Sequence, residues 1–346
     1  MTRLLSAVPD DARVILLGDE FQLASVEAGS VLGDICSAAT GRGYSPASGK
    51  RLRRWVGAGV EVAASDRDSN EMDDSLVRLT HSYRYDPGSG IGALARAINE
   101  GDATRALEIL EAAESPEVMR IDFSAHRKAE GTFGAKMVEG FHGYLAQQDP
   151  GGMLRDFGQF RVLTPQRVGP GGVVQLNREI GEYLRGADLL RDQSDRYPGR
   201  PLMVKSNDYG QALWNGDVGI VLPGEPGLER VVFDAEQGGA EGTRRLAYSR
   251  LPECETAFAM TIHKSQGSEF ERVAVVLSDA AAERATRELL YTAVTRARTG
   301  VTLFASANAI AQAIGRQIPR SSGLGDALRS PNRQGEESHP PDQESI

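Results

Sequence analysis

The stretch Phe258-Ala-Met-Thr-Ile-His-Lys-Ser-Gln-Gly-Ser-Glu-Phe270 changes within a few residues from an apolar strand to a polar turn. Residues 257–260 form the apolar part, which has the length of a short buried strand. The turn carries hydroxyls, an amide, an imidazole and an ammonium, and Gly267 allows the backbone to turn tightly or to approach a ligand. Because α/β proteins bind ligands at the carboxyl ends of strands, these donors favour a phosphate or nucleic-acid contact over an ordinary polar loop.

The bulk composition excludes several classes of protein. The 346 residues, 40% hydrophobic and 25% charged, are enough for two or three domains of ordinary composition. No apolar run is long enough to cross a membrane, and residues 1–9 lack the apolar core of a signal peptide. Two cysteines provide neither a disulfide framework nor a metal quartet, so we expect a cytoplasmic location and no protein-bound metal. The net charge of −9 excludes a uniformly basic surface but allows a local basic groove.

Apolar runs alternate with amphipathic helical patterns along most of the chain, which predicts an α/β fold with a parallel sheet. The predicted strands are 13–17, 76–79, 118–122, 160–164, 257–260, 272–277 and 301–305. The predicted helices are 91–98, 102–113, 132–146, 173–180, 288–298 and 308–317. Residues 201–254 instead contain closely spaced short strands, which predicts a small inserted β-barrel. Its predicted strands are 202–205, 219–222, 230–233 and 245–248.

Two further segments place positive charge directly after a predicted strand. Arg84 follows strand 76–79, and a planar guanidinium suits phosphate oxygens. Thr164 and Arg167 begin a glycine-rich turn, residues 165–172, that precedes a helix whose N-terminus favours an anion. These residues are therefore candidates for contacts with a nucleic-acid backbone, although a simple strand–helix connection remains the alternative for the turn.

Several of these segments, in this order, resemble the motifs of superfamily 1 helicases, and most specifically those of the RecD-like helicases (the exodeoxyribonuclease V alpha subunit). Gly18-Asp19-Glu20-Phe21-Gln22-Leu23 resembles motif III, G-D-x-x-Q-L, which we prefer to a Walker B element with Asp19 on magnesium. The region around Arg84 resembles motif IV, and residues 261–270 resemble motif V. Residues 288–298 resemble motif VI, L-x-Y-T-A-x-T-R-A-R. The resemblance extends over residues 1 to about 325.

The resemblance implies a RecA-like parallel-sheet motor domain with an inserted β-barrel, plus a remnant of a first RecA-like domain. The expected divisions are a remnant at 1–36, a flexible insert at 37–75, the second motor domain at 76–200 and 255–318, the barrel at 201–254 and a disordered tail at 328–346. Within the insert, Arg51, Arg53 and Arg54 beside Trp55 could contact nucleic acid, but an acidic run follows them and we favour a solvated surface loop.

The resemblance also assigns roles to single residues. Arg84 and Arg296 are expected to contact the γ-phosphate of ATP, Gln22 to sense that phosphate, and Glu269 to lie near the nucleotide ribose. The expected contacts with single-stranded DNA are Thr164, Arg167, Thr261, His263, Lys264, Ser265 and Gln266. These roles imply a 5′-to-3′ DNA helicase of double-strand break repair and recombination, partnered in some bacteria by RecB and RecC.

The printed sequence contains no G-x-x-x-x-G-K-[ST], the glycine-rich loop that holds nucleotide phosphates. In RecD-like proteins the Walker A and Walker B elements precede motif III, so we interpret the chain as the C-terminal portion of a longer helicase. ATP with Mg²⁺ is then the expected cofactor of the full-length protein. The alternative is a non-catalytic module that binds DNA or a partner and is derived from a truncated helicase.

Overall fold

The computed structural model describes most residues between 7 and 318. The described ranges are 7–9, 11–23, 31–39, 43–57, 59–65, 72–79, 88–112, 117–123, 132–191, 194–225, 227–235 and 242–318. Contacts divide the chain into two compact units, residues 1–80 with 319–346 and residues 81–318. The predicted tail at 328–346 lies outside the described ranges.

The first unit contains two described helices, α1 (Val31–Ala38) and α2 (Pro46–Val56). The Ser45 hydroxyl caps α2 by accepting a hydrogen bond from the Ser48 amide. The Asp74 carboxylate accepts hydrogen bonds from the hydroxyls of Ser45 and Ser48, and the resulting interactions hold the pKa of Asp74 below its ordinary value despite its partial burial. The prediction of a loop around Trp55 was therefore wrong about local structure, because Trp55 lies on α2, although its side chain is 86% exposed.

Two apolar runs that were predicted as strands form none. Residues 13–17 and 76–79 are described without strand pairing, and their apolar side chains face solvent, with Leu17 and Leu79 both 90% exposed. A strand needs neighbouring strands to accept its backbone hydrogen bonds, and neither run has a ladder partner among the described residues. Apolar composition alone therefore gave the wrong structure at both positions.

The second unit is built on a five-stranded parallel sheet. Its strands are β1 (Val118–Ile121), β2 (Phe160–Thr164), β8 (Ala259–Thr261), β9 (Phe270–Leu277) and β10 (Ala297–Ala305). Their order across the sheet is β1-β10-β9-β2-β8. The helices of this unit are α3 (Gly90–Glu100), α4 (Ala103–Glu111), α5 (Thr132–Ala146), α6 (Pro150–Phe157), α7 (Val173–Gly186), α8 (Asp279–Ala282), α9 (Arg287–Val294) and α10 (Ala307–Gly315). The predicted α/β class is confirmed.

Aromatic side chains from helices and strands form the centre of the core beside this sheet. Phe141 of α5 has its ring centroid 5.0 Å from that of Phe160 and 5.2 Å from that of Phe258, both in edge-on geometry. The Phe157 ring of α6 lies 5.9 Å from Phe141 in a stacked arrangement. Since Phe258 immediately precedes β8, this packing fixes the strand that leads into the polar turn at residues 261–268.

A buried arginine also holds the start of that strand. Arg161 of β2 is 3% exposed, donates from Nη1 to the Ala257 carbonyl at 2.7 Å and stacks over the Phe157 ring at 4.1 Å. Burial is the main reason that the pKa of Arg161 falls to about 9. The guanidinium therefore serves the fold by joining β2 to the backbone just before β8.

A second, antiparallel sheet occupies the segment predicted as an insertion, with strand order β6-β5-β4-β3-β7. Its strands are β3 (Pro201–Val204), β4 (Val218–Val221), β5 (Arg230–Asp234), β6 (Thr243–Ala247) and β7 (Cys254–Thr256). All four predicted strands are confirmed, and β7 is an additional one. Closure of this sheet into a barrel stays a prediction, since no described pairing joins β6 to β7.

The motif VI segment has a different structure from the single helix predicted at 288–298. Helix α9 ends at Val294, and the Thr295 hydroxyl donates back to the Tyr291 carbonyl at 2.9 Å. Strand β10 then starts at Ala297, so Arg298 lies on a strand and Arg296 lies at the junction. Residues 295–300, Thr-Arg-Ala-Arg-Thr-Gly, carry neither a helical nor a strand-like apolar pattern, so no sequence signal marks the change from helix to strand.

Candidate nucleic-acid interface

The two polar turns predicted to contact DNA emerge side by side from neighbouring parallel strands. Thr164 at the end of β2 and Thr261 at the end of β8 are register partners. The Ile262 amide donates to the Thr164 carbonyl at 3.0 Å, which extends the pairing by one hydrogen bond beyond the strand ends. Both turns therefore start from one point on the carboxyl edge of the sheet, where ligands bind in α/β proteins.

The first turn, residues 165–172, is held by its own backbone and by two buried hydroxyls, of which that of Ser278 donates to the Pro170 carbonyl at 2.7 Å. Thr164 is fully buried, and its hydroxyl donates to the Gly171 carbonyl at 2.7 Å. Gly169 and Gly171 have φ angles of +100° and +73°, in the left-handed region that favours glycine. The Thr164 side chain thus holds the turn rather than reaching a surface where a DNA strand could touch it. Arg167, half-exposed at the tip of the turn, retains accessible donors.

The second turn contains a short 3-10 helix, His263–Ser265. Ser265 is fully buried and its hydroxyl donates to the Ile262 carbonyl at 2.8 Å, so this side chain also supports the turn from inside. The Thr261 hydroxyl accepts a hydrogen bond from the Lys264 amide. Gly267 has a φ of +82°, and a Cβ there would meet no atom within 4 Å, so backbone conformation rather than crowding selects glycine.

Three of the predicted DNA contacts in this turn are exposed, namely His263, Lys264 and Gln266. The predicted set in this turn therefore divides into side chains that face solvent and two side chains, Thr261 and Ser265, whose hydroxyls bond to the backbone of the turn. The exposed group offers an imidazole, an ammonium and an amide, which can donate to phosphate oxygens or contact bases. Arg167 adds a guanidinium from the neighbouring turn.

A carboxylate from the antiparallel sheet joins the two turns. Glu255 of β7 contacts the Lys264 ammonium through Oε1 at 2.8 Å and the Arg167 guanidinium through Oε2 at 2.7 Å. Burial alone would raise the pKa of Glu255, but the hydrogen bonds and charges of Lys264 and Arg167 outweigh burial and lower the pKa. Sequence reasoning missed Glu255, because nothing in its local sequence indicates its partners.

Asn177 of α7 is a second residue that sequence reasoning did not single out. Its side-chain amide donates to the Ala259 carbonyl at 3.1 Å, and its side-chain oxygen accepts from the Ala259 amide at 2.9 Å. One side chain therefore satisfies both outward-facing backbone groups of Ala259, which lies on the edge strand β8. The sequence signal that could have identified Asn177 is the Leu176-Asn177 pair near the start of α7.

Of the predicted nucleotide residues, Arg296 contacts the last residue of the second turn and Glu269 follows that residue in the chain. Arg296 is 2% exposed and donates from Nη1 to the Ser268 carbonyl and from Nε to the Thr292 carbonyl, each at 3.2 Å. Glu269 is the next residue after Ser268, and its carboxylate lies 3.9 Å from Nε of Arg298. The guanidinium of Arg296 is thus connected to the backbone of the candidate DNA-binding turn.

The two other predicted nucleotide residues are Gln22 and Arg84. Gln22 lies in the first unit, where its amide donates to the Asp19 carboxylate at 2.9 Å, and the Phe21 amide donates to the same carboxylate. Arg84 lies outside the described residues, so its predicted role is not tested. In the part of the chain that the structure describes, no cluster of His, Cys, Asp or Glu is arranged to hold a metal ion. Nor does any described helix combine the length and apolarity needed to span a bilayer.

The chain is similar in sequence to several known proteins. The UvrD-like helicase C-terminal domain family matches residues 256–304, and an AAA domain family matches residues 1–44. The RecBCD enzyme subunit RecD of Haemophilus influenzae is 36% identical, over 96% of this chain and 52% of that protein. The ATP-dependent RecD2 DNA helicase of Deinococcus radiodurans is 28% identical, over 95% of this chain and 38% of that protein. A crystal structure of Bacteroides Pif1 bound to ssDNA covers 73% of this chain and 56% of its own, with 18% identity and a TM-score of 0.41.

The match to the UvrD-like helicase C-terminal domain family falls on strands β8, β9 and β10 of the parallel sheet, so the second unit resembles the C-terminal domain of such helicases. More particularly, the chain is a homologue of the RecD-like helicases. It spans about half the length of the RecD subunit it matches.

Proposed function

We propose that this chain forms the C-terminal motor half of an ATP-dependent 5′-to-3′ DNA helicase of the RecD type, acting in double-strand break repair and recombination. The observation that carries the proposal is the pair of turns that leave the sheet at Thr164 and Thr261 and present exposed donors together. The homology to RecD and to an ATP-dependent RecD2 DNA helicase supports it. In this proposal the protein works in the cytoplasm, with RecB and RecC as candidate partner subunits.

Single-stranded DNA would lie across the two turns. Arg167 and Lys264 would bind backbone phosphates, because their half-exposed side chains carry positive charge on one edge of the sheet. His263 and Gln266 would contact the sugar-phosphate backbone or the bases from the solvent-facing side of the second turn. Thr164 and Ser265 would act indirectly, since their buried hydroxyls hold the backbone of each turn in shape.

The nucleotide contacts that we propose come from Arg84, Arg296, Glu269 and Gln22, with ATP and Mg²⁺ as cofactors of the complete helicase. The described residues fit ATP with Mg²⁺ only in part, since they supply Arg296, Glu269 and Gln22 but no glycine-rich phosphate loop. ATP hydrolysis supplies the free energy for translocation. The contribution of Arg296 would be to connect the nucleotide side to the DNA side, because its guanidinium binds the Ser268 carbonyl.

The DNA-binding proposal is tested by replacing His263 and Gln266 together with Ala and measuring the anisotropy of a labelled oligothymidine. We expect affinity to fall about five- to tenfold, and binding to weaken as salt rises. The matched control replaces His142 and Gln148, which are also exposed but lie away from both turns on and just after α5. Equal affinity for the double variant and the unsubstituted chain would remove the second turn from the binding surface.

The second candidate function is a non-catalytic module that binds DNA or a partner protein. The printed sequence favours it in one respect, because it contains no G-x-x-x-x-G-K-[ST]. We expect the chain alone to show negligible ATPase with or without DNA, and DNA-stimulated turnover would contradict this. The two candidates are separated by the genomic DNA upstream of the start codon, since an in-frame Walker A sequence there supports the helicase.

A further inference from the structure

The carboxylate of Glu255 bridges two cations that come from different turns. Each of its oxygens contacts one cation, with Oε2 2.7 Å from Arg167 Nη1 and Oε1 2.8 Å from Lys264 Nζ. The Glu255 side chain is only 18% exposed, whereas those of Arg167 and Lys264 are 49% and 32% exposed. The anion is therefore recessed and the two cations extend past it toward solvent.

Holding two cations from separate turns close together is energetically unfavourable unless an anion lies between them. Long, flexible cations from separate segments repel each other and lose side-chain entropy when they are held together. A shared, recessed carboxylate offsets both effects, because it attracts both cations and fixes where each one lies. The trio keeps a net positive charge, and the guanidinium and ammonium still have donors that the carboxylate does not use.

We propose that Glu255 is a positioning residue for single-strand binding, which holds Arg167 and Lys264 side by side so that both can bind one stretch of DNA backbone. The inference rests on the proposed function and adds a role for the antiparallel sheet. Glu255 belongs to β7, where it pairs with Met203 of β3. A residue of the inserted antiparallel sheet therefore sets the distance between Arg167 and Lys264, which lie in the turns that follow two strands of the parallel sheet.

The opposite role for Glu255 would be that of a mask. A carboxylate that merely neutralised the two cations would compete with phosphate, and its removal would tighten DNA binding. The recessed position of Glu255 argues for positioning, since the exposed sides of both cations stay open to a phosphate. The sign of the change in affinity separates the two roles.

The experiment compares the affinity for oligothymidine of the full chain and of Glu255→Gln, which keeps the shape of the side chain and removes its charge. We expect about tenfold weaker binding and a smaller dependence on salt, because one organised phosphate contact is lost. The matched control is Glu253→Gln, two residues away, whose carboxylate pairs with Lys205 and is 71% exposed. We expect this control to bind DNA as the unsubstituted chain does, and thermal unfolding verifies that each variant folds.

A double-mutant cycle shows whether Glu255 acts through the two cations. In an Arg167→Gln, Lys264→Gln background, the further change Glu255→Gln is expected to have no added effect on affinity. Tighter binding by Glu255→Gln alone, or an equal loss in both backgrounds, would overturn the inference. If the Arg167, Lys264 double variant binds DNA normally, the proposed binding surface itself fails. If that variant binds weakly and Glu255→Gln binds normally, only the positioning role fails.

Discussion

Arg296 donates from Nη1 to the backbone carbonyl of Ser268 at 3.2 Å, while its Nε donates to the Thr292 carbonyl at the end of α9. The guanidinium thus joins the motif VI segment to the last residue of the second turn. The Arg296 carbonyl also accepts from the Phe270 amide at 2.9 Å, so both the side chain and the main chain of this residue hold the same segment. We therefore expect a shift of Arg296 to move the backbone of the turn that carries His263 and Lys264.

Replacing Arg296 with Lys is expected to cost about 2 kcal/mol of unfolding free energy, because an ammonium cannot reach both carbonyls from a buried position. Hydrogen exchange at the amides of residues 266–270 is expected to speed up. The matched control is Arg298→Lys, since that side chain is 52% exposed and its carboxylate neighbours are 3.7–3.9 Å away. Equal stability of both variants would refute a structural role for the Arg296 contacts.

Replacing Thr164 with Val keeps the shape of a fully buried side chain and removes its hydrogen bond to Gly171. We expect a loss of about 1–2 kcal/mol in denaturant unfolding. The same variant should bind oligothymidine more weakly, since the turn that carries Arg167 loses its internal support. Thr299→Val is the control, because the exposed Thr299 hydroxyl also donates to a backbone carbonyl, that of Glu271, at 2.8 Å. A variant at Thr164 as stable as the control would show that the buried bond is dispensable.

Gly140 in α5 lies against the ring of Phe160, and an added Cβ would stand 2.3 Å from two ring carbons. Phe160 is 6% exposed and packs on Phe141, so the ring has little room to move. Gly140→Ala is therefore expected to lower the unfolding free energy by about 1–3 kcal/mol, despite the better helix propensity of alanine. At Gly186 in α7 an added Cβ meets nothing within 4 Å, and Gly186→Ala is expected to be neutral or to stabilise by up to about 1 kcal/mol. Calorimetric unfolding measures both.

Burial raises the pKa of Tyr197 to about 12, whereas an unfolded tyrosine ionises near pH 10. The folded state therefore keeps the phenol proton that the unfolded state releases, and stability present below pH 10 is lost as the pH rises from about 10 to 12. Tyr197→Phe is expected to reduce this loss by about 1.4 kcal/mol per pH unit over that window. Tyr209→Phe, at a position that is 78% exposed, is the control. Parallel stability–pH curves for Tyr197→Phe and the unsubstituted chain would contradict the prediction.

The sequence predicted the strands that are buried on both faces. Strand β2 and the β9 residues Val273–Leu277 are wholly buried, so their apolar runs carry the signal directly. Residues 13–17 are also a short apolar run and yet form no strand, because pairing depends on a neighbouring strand, which the local sequence does not specify. Local patterns therefore specify which segments can form a strand, and tertiary contacts decide which of them do.

The candidate site was predicted in outline for the same reason. Polar turns after apolar strands are local signals, and the pairing of Thr164 with Thr261 brings those turns together. The burial of Thr164 and Ser265 could not be predicted, since a hydroxyl in a turn can point either way. Nothing in the sequence around Glu255 indicates its role, because that role depends on contacts with Arg167 and Lys264, which follow strands of the other sheet.

The two hydrogen bonds between Asn177 and Ala259 have a consequence for the behaviour of the protein in concentrated solution. An edge strand with open amide and carbonyl groups is a template on which another chain can add a strand, and this is a common route to aggregation. At Ala259 both groups are already bonded to a side chain of the same molecule. The edge strand β8 can therefore lie at the rim of the sheet without offering the backbone groups of Ala259 to a strand from another molecule.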